Sequence, residues 1–208
     1  VSRQLQRQGV QPERIAVIQN GVDFHLIEDE TCDSSDLAAL TGGRIVFGVI
    51  GRLFPDKGHR FFMEAFSKII KVHPEVSALI VGGGPQQQDL QERINALGLA
   101  DHVFLCGERS DMKGIYDLVD ILVISSLREG LPYVLLEAMA NNVPVLATAV
   151  GDIPLLIQDR STGYLIEPGN AKAMQERMLE LLSNPSEARE MAERARNCLL
   201  YTSPSPRD

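Results

Sequence analysis

The sequence predicts an α/β protein: a Rossmann-like, doubly wound parallel sheet of about six strands, with helices on both of its faces. Short continuous apolar runs alternate with segments of helical periodicity over residues 44–197. Apolar runs without a polar face are typical of strands that are buried on both sides. Helical connections of this length between successive strands give right-handed crossovers, and these make the strands parallel.

Six apolar runs are predicted as strands. They are RIVFGVIG (44–51), VSALIVGGGP (76–85), HVFLCG (102–107), DILVISS (120–126), VPVLATAV (143–150) and GYLIE (163–167). The predicted helices cover residues 59–73, 86–98, 110–119, 132–141, 152–158, 170–183 and 185–196. Local signals support three of their ends: Gly98 stops the second helix, Ser110 or Asp111 caps the third, and Pro132 opens the fourth.

The composition excludes several classes of protein. The chain has 208 residues, of which 44% are hydrophobic and 23% charged, as in an ordinary globular protein. Its net charge of -8 argues against a nucleic-acid-binding protein, which needs basic surfaces. Three scattered cysteines and four dispersed histidines predict free thiols in a reducing compartment and no metal site. We expect no transmembrane segment, because no apolar run is long enough to span a bilayer.

The pattern changes near both ends of the chain. Residues 1–23 read as the tail of a preceding domain, residues 24–43 as an irregular polar linker, and residues 44–197 as the main domain. Residues 198–208 depart from the preceding helical pattern, and they resemble one reading frame of a sequencing-library adapter. A natural disordered tail is the alternative, since serine and proline suit both.

The unusual residues follow the predicted strands. In an open parallel sheet, ligands bind beyond the carboxyl ends of the strands, where the strand order reverses. Arg52 and Lys57 lie in GRLFPDKG after the first strand, and the fourth strand leads through SSLREG into the helix opened by Pro132. Cationic side chains and a helix N-terminus together predict a diphosphate pocket. Solvated surface charges in ordinary turns are the alternative, and neither a dinucleotide fingerprint nor a P-loop is present.

Two glutamates lie eight positions apart across this turn and helix. Glu137 falls among apolar helix positions, and its carboxylate suits the two hydroxyls of a ribose. Glu129 precedes the helix and suits the hydroxyls of a second polyol, a sugar. The alternatives are a glutamate bonded to local backbone N–H groups and a partner of the helix dipole. A glycosidase is rejected, because its two carboxylates flank a single scissile bond.

These residues resemble the donor-binding, C-terminal domain of GT-B-fold retaining glycosyltransferases, the group called glycosyltransferase family 4. The resemblance covers residues 14–196 and is most specific in GRLFPDKG and in the E-x7-E motif EGLPYVLLE. It also includes NGVD (20–23), VGGGP, VFLCG and residues 151–170. The chain departs from the family pattern where Asn142 and Asp152 replace glycines and Leu155 replaces a glutamate.

The resemblance implies a role for each site residue. The catalytic residues would be Arg52 and Lys57, which hold the diphosphate leaving group, and Glu129, which binds the donor sugar. Glu137 would bind the nucleotide ribose. The other substrate-binding residues would be Gly51 and Gly83 in the turns, Gly107 and Glu108 near the base, and Gly130 and Leu131 at the phosphates. Such enzymes need no metal or other cofactor, because cationic side chains and a helix dipole replace it.

The resemblance also implies partners. The donor would be a nucleotide diphosphate sugar, and the acceptor a glycan, a lipid or a small molecule bound by a missing N-terminal domain. The fragment alone is therefore expected to be inactive. A cytoplasmic protein is expected, with association at the inner face of the membrane left open. The alternatives are a non-catalytic sugar-nucleotide-binding module and a GT-B-like sugar-nucleotide epimerase.

Overall fold

The computed structural model describes residues 34–202, together with Gly9, Gln11 and Glu13. The strands are β1 (Ile45–Ile50), β2 (Val76–Val81), β3 (Val103–Gly107), β4 (Ile121–Ile124), β5 (Val145–Thr148) and β6 (Tyr164–Ile166). The first four helices are α1 (Ser35–Thr41), α2 (His59–Ile69), α3 (Gln87–Ala96) and α4 (Met112–Leu118). The others are α5 (Tyr133–Ala140), α6 (Ile153–Leu156), α7 (Ala171–Ser183) and α8 (Pro185–Thr202).

The strands form a single parallel sheet in the order β3-β2-β1-β4-β5-β6. The predicted fold class and all six predicted strands are confirmed. The chain first winds outward from β1 to β3 and then returns to place β4 beside β1 on the other side. The order therefore reverses between β1 and β4, where a doubly wound sheet opens a crevice for ligands.

Each face of the sheet has its own apolar layer. On one face α2 packs against α7, and Phe66 lies edge-on to Phe47 of β1 at 5.8 Å and is stacked on Phe62 at 5.4 Å. On the other face α8 packs against α5, with Tyr116 of α4 and Leu135 of α5 buried among strand residues. Complete burial explains why the strands read as continuous apolar runs rather than as alternating ones.

Local signals account for several element ends. Asn170 accepts a hydrogen bond from the backbone N–H of Ala173 at 2.9 Å and so caps α7. Asn142 has φ 55°, the left-handed backbone that a residue in this glycine-preferring position needs. Asp111 is the N-cap residue of α4, as one of the two predicted alternatives, but its side chain makes no cap hydrogen bond. Its carboxylate is bonded to Arg109 instead.

Two expectations about the ends of the domain are wrong. Within the predicted linker, Ser35–Thr41 is a helix, because Leu37 is buried against the sheet layer that α5 covers. At the other end, α8 continues past Cys198 to Thr202. Leu199 is buried four positions after Ala195, which extends the apolar stripe of the helix by one turn. Residues 203–208 and the NGVD motif lie outside the described residues.

Candidate functional site

The loops that leave β1 and β4 are joined at the point where the strand order reverses. Leu127 donates its backbone N–H to the carbonyl of Asp56 at 2.7 Å, and the Ser125 hydroxyl donates to the carbonyl of Lys57 at 2.8 Å. Gly58 has φ 67°, and a Cβ there would lie 2.1 Å from the Ser125 carbonyl oxygen. Only glycine fits this contact, so residue type as well as strand order brings the two loops together.

The loops on either side are joined in the same manner. After β1 and β2, Leu53 donates its N–H to the carbonyl of Gly83 at 2.8 Å. After β4 and β5, the Thr148 hydroxyl donates to the carbonyl of Ser126 at 2.6 Å, and a Cβ on Gly151 would lie 2.4 Å from the Gly130 carbonyl. The carboxyl edge of the sheet is therefore one connected surface, and its side chains are held by several elements at once.

Lys57 and Glu129, predicted for the diphosphate and the sugar, are bonded to each other. Lys57 Nζ lies 2.6 Å from Glu129 Oε1, and the side chains are only 18% and 10% exposed. The Ser126 hydroxyl donates to the same carboxylate oxygen at 2.7 Å. Both charges are thus neutralised locally, and an anion could bind Lys57 only in competition with Glu129.

Arg52 is held differently. It is exposed, and its guanidinium lies 4.8 Å from the centre of the Phe54 ring. Among the described residues, no carboxylate lies within ion-pair distance of it. Stacking on the ring fixes the guanidinium plane and leaves its N–H groups available to an anion.

Gly130 and Leu131 lie between Glu129 and α5, as predicted. Gly130 is exposed, and a Cβ there would meet nothing within 4 Å. Pro132 precedes the first residue of α5, with φ -73° and ψ 133°. The positive end of this helix therefore begins beside the Lys57–Glu129 pair, which is the arrangement that a bound phosphate uses.

Glu137 lies in the second turn of α5 and is half-buried. Its Oε2 accepts a hydrogen bond from the hydroxyl of Tyr116 at 2.8 Å. Burial, reinforced by the negative charge of Glu137, raises the pKa of Tyr116 well above its usual range, so the phenol remains a proton donor. The alternative expectation, a carboxylate bonded to local backbone N–H groups, is wrong.

The residues predicted near the base lie at the far side of the loop surface. Gly107 ends β3 with φ 68°, and its carbonyl accepts from the N–H of Gly82 at 2.7 Å. The Glu108 side chain is exposed and lies against Gly83, where a Cβ would come within 2.6 Å of Oε1. Gly51, in turn, is so close to Gly82 that a Cβ on the latter would lie 2.0 Å from the Gly51 carbonyl oxygen.

Sequence reasoning missed His59, the first residue of α2. It is 2% exposed, and its Nδ1 has no hydrogen-bond partner among the described residues. Burial and, to a smaller extent, the nearby charge of Lys57 lower the pKa of His59 to about 4, while Asp56 opposes them. The imidazole is therefore neutral at pH 7 and adds no positive charge beside Lys57. Its position just after the Lys57–Gly58 turn was the available signal.

A second missed residue is Arg109, after Glu108. Its guanidinium forms two hydrogen bonds with Asp36 of α1, at 2.7 and 3.1 Å, and two with Asp111, at 2.8 and 2.6 Å. For each of the two carboxyl groups, the hydrogen bond to Arg109 is the largest cause of a lowered pKa. Arg109 therefore joins α1 to the loop that follows β3.

The opposite, amino edge of the sheet contains a cleft of about 410 Å³. Asp120, Asn142 and Arg189 are among its polar lining residues, and none of the predicted site residues lines it. In the described part of the chain, no group of three His, Cys, Asp or Glu side chains is placed to hold a metal ion. That the protein needs no metal or other cofactor stays a prediction. No described helix combines the length and the apolar content needed to cross a membrane.

The sequence profile of the family described as "Glycosyl transferases group 1" matches residues 37–198. This chain belongs to the group 1 glycosyltransferases. The resemblance drawn from the motifs is thereby confirmed at the level of the family, and the match begins inside the segment predicted as a linker. That residues 198–208 derive from a sequencing-library adapter stays a prediction.

Two relatives with named activities are similar over most of the chain. The UDP-Gal:alpha-D-GlcNAc-diphosphoundecaprenol alpha-1,3-galactosyltransferase of Escherichia coli is 32% identical over 165 residues, which are 76% of this chain and 42% of that protein. The N-acetyl-alpha-D-glucosaminyl L-malate synthase of Bacillus anthracis is 34% identical over 134 residues, 64% of this chain and 35% of the relative. The chain thus spans less than half the length of these two relatives.

A solved structure gives the same fold. Anabaena Alr3699/HepE in complex with UDP and glucose superposes with a TM-score of 0.87 and 25% identity. The match covers 96% of this chain and 56% of that one. Together with the sheet order, this identifies the fold as the half of a GT-B glycosyltransferase predicted from the sequence.

Proposed function

We propose that this chain is the donor-binding half of a retaining glycosyltransferase, which transfers a sugar from a nucleotide diphosphate sugar. The observation that carries the proposal is the partly buried Lys57–Glu129 pair beside the start of α5, at the reversal of strand order. A cation and a helix N-terminus suit a diphosphate, and an adjacent carboxylate suits sugar hydroxyls. A relative whose name specifies UDP-Gal, and a similar structure that contains UDP, support this choice of donor.

In the proposed reaction, the chain stabilises the leaving group. The bond between the sugar's anomeric carbon and the diphosphate oxygen breaks, and its electron pair stays on that oxygen. Lys57, Arg52 and the start of α5 stabilise the negative charge that develops there. An acceptor hydroxyl bonds to the anomeric carbon from the same face, and its proton passes to a diphosphate oxygen. Same-face attack retains the anomeric configuration without a covalent enzyme intermediate.

Glu129 changes partner as the donor binds. Its carboxylate is bonded to Lys57 and Ser126 before the donor arrives. When the diphosphate takes the lysine, Oε1 becomes available to a sugar hydroxyl. The sugar is then held beside its own leaving group, which favours reaction over dissociation.

The acceptor is assigned to a second domain that faces the carboxyl edge of this sheet. That domain would bind the glycan, lipid or small-molecule acceptor in the cytoplasm or at the inner face of the membrane. The 208-residue chain by itself should then bind a donor without transferring its sugar. Sugar transfer by this chain alone would contradict the assignment.

Thermal unfolding with and without nucleotides tests the proposal. The 208-residue chain is melted with UDP, GDP, ADP and their common sugar derivatives, beside the R52A/K57A double variant. A ligand at about one hundred times its Kd stabilises the native state by about 2.7 kcal/mol, and the double variant should lose that shift. The matched control is K68A/K113A, which removes two lysines from i,i+4 pairs on helix surfaces. The absence of a shift with every nucleotide, from a cooperatively folded chain, contradicts the proposal.

A further inference from the structure

The carboxylate of Glu137 is held by a single side chain from a neighbouring helix. The Tyr116 hydroxyl, on α4, lies 2.8 Å from Glu137 Oε2. Tyr116 is 4% exposed and packed in the apolar layer that also buries Leu135 and Met139 of α5. Because its ring is enclosed by the core, the position of the hydroxyl is set by the packing of α4 against the sheet.

The geometry favours the carboxylate as the acceptor of the phenol's one proton. The same hydroxyl lies 3.4 Å from the carbonyl oxygen of Val134, which is a much longer contact. A bond from a neutral donor to a charged acceptor is also the stronger of the two. Since burial raises the pKa of Tyr116, the hydroxyl keeps this proton throughout the physiological pH range.

One carboxylate oxygen of Glu137, Oε1, is available to accept hydrogen bonds from a ligand. Among the described residues, Tyr116 is the one side-chain donor to its carboxylate, and that bond is to Oε2. The carboxylate is half-buried and stands on the helix whose N-terminus faces the proposed diphosphate. Glu129 differs in that its Oε1 accepts from two donors, Lys57 and Ser126, of which Lys57 is also proposed to bind the diphosphate.

We propose that Tyr116 is a positioning residue, which fixes the Glu137 carboxylate so that its other oxygen accepts hydrogen bonds from the 2′ and 3′ hydroxyls of the donor's ribose. The inference rests on the proposed function. It makes Tyr116, a residue of the domain interior, a determinant of ribose recognition. Without the phenol hydroxyl, the Glu137 side chain can rotate. Binding the ribose must then fix this side chain, and the entropy lost in fixing it weakens the affinity.

The test compares nucleotides that differ only in the two hydroxyls. Kd values of the 208-residue chain are measured by calorimetry for UDP, GDP and ADP and for their 2′,3′-dideoxy forms. In the Tyr116→Phe variant we expect the nucleotide that binds to lose about tenfold in affinity, the size of a hydrogen bond to a charged group. Its dideoxy form should lose less than about twofold. In a Glu137→Gln background, Tyr116→Phe should add little further loss for either form.

Tyr164→Phe is the matched control. Tyr164 is also buried and also bonded to a glutamate, Glu180, but it lies in the apolar layer on the other face of the sheet. This variant should lower the melting temperature yet keep the wild-type ratio between ribose and dideoxyribose nucleotides. A loss of stability is thereby separated from a loss of ribose recognition.

A second measurement on the wild-type chain needs no variant. With tyrosines labelled at the ring carbon that carries the hydroxyl, the Tyr116 resonance should shift on adding the nucleotide and much less on adding its dideoxy form. Equal shifts, or an unchanged ribose-to-dideoxyribose ratio in Tyr116→Phe, overturn the inference alone. If the wild-type chain binds none of the three nucleotides, the proposed function fails and the inference falls with it.

Discussion

Glycines at the two edges of the sheet have the same left-handed backbone but different surroundings. At the carboxyl edge, a Cβ on Gly58 or Gly82 would lie 2.1 or 2.0 Å from a backbone oxygen of a neighbouring loop. At the amino edge, Gly42 and Gly98 end α1 and α3, and a Cβ on either would meet nothing within 4 Å. Gly42 and Gly98 therefore serve only their local turns, whereas Gly58 and Gly82 allow the loops of the site to come together.

The histidines show the same difference. His102, at the amino edge just before β3, places its Nδ1 2.8 Å from the carbonyl oxygen of Val76. His59, at the carboxyl edge, is more deeply buried, and its Nδ1 has no partner in the described part of the chain. Of these two histidines, the one at the edge that carries the site is therefore the less satisfied, as is common where structure serves ligand binding rather than stability.

The largest effect should come from substituting alanine for one glycine at each edge. Gly58 and Gly98 share φ 67°, so both variants incur the left-handed strain, but only Gly58→Ala also clashes with the Ser125 carbonyl. We expect losses of unfolding free energy of about 4 kcal/mol for Gly58→Ala and about 1 kcal/mol for Gly98→Ala, measured by urea denaturation. Equal losses would mean that the loops can separate without cost, and the difference between the edges would disappear.

Breaking the Lys57–Glu129 pair should affect ligand binding next most strongly. Lys57→Met removes the cation proposed for the diphosphate and leaves the largely buried Glu129 with Ser126 as its one side-chain partner among the described residues. We expect UDP affinity to fall about 100-fold by calorimetry and stability to fall by about 2 kcal/mol. Adding Glu129→Gln should recover much of the stability and none of the affinity.

Lys113→Met is the control for that pair. Lys113 is bonded to Asp117 one turn along α4, on the helix surface, and such pairs contribute less than about 1 kcal/mol. The free energy of UDP binding and the free energy of unfolding should each change by less than about 1 kcal/mol. If Lys57→Met behaves like Lys113→Met, then Lys57 does not contact the diphosphate.

His59 should give the protein a dependence on pH that originates at the carboxyl edge. The pKa of His59 in the folded chain is about 4, below its ordinary value of 6.5, so the unfolded chain binds the proton more tightly. Stability from this group is complete above about pH 6.5 and is lost as the pH falls toward 4. Between pH 7 and pH 5 the loss should be about 2 kcal/mol in denaturant titrations. His59→Gln should flatten this slope, and an unchanged slope would assign the effect to other groups.

The smallest effect should come from the amino edge. Asp120 Oδ2 accepts a hydrogen bond from the N–H of Val46 at 2.8 Å, at the start of β1. Asp120→Ala should lower stability by about 1 kcal/mol and leave the Kd for UDP unchanged, because no proposed ligand contact lies at that edge. A weaker Kd in this variant would contradict the division of roles between the two edges.

Much of this could be predicted from the sequence, and what could not has a common cause. The strands and the position of the reversal follow from local apolar runs and their spacing. The sequence also places the predicted site residues, among them Arg52 and Glu137, at the carboxyl edge of the sheet, where the structure has them. The Lys57–Glu129 bond, by contrast, joins residues 72 positions apart, and the Tyr116–Glu137 bond joins two helices. Neither leaves a periodic signal. Helix α1 was missed because only seven residues form it, with Leu37 buried within them.

The interlocked loops at the carboxyl edge have a consequence for engineering. A loop of this site cannot be exchanged alone for that of a relative with another donor. The segment after β1 fits the carbonyl of Ser125 on one side and that of Gly83 on the other, so an incoming loop must reproduce both backbone paths. Successful chimaeras should exchange the segments after β1, β2 and β4 together, and altered specificity should be easier to select by side-chain substitution within the native loops.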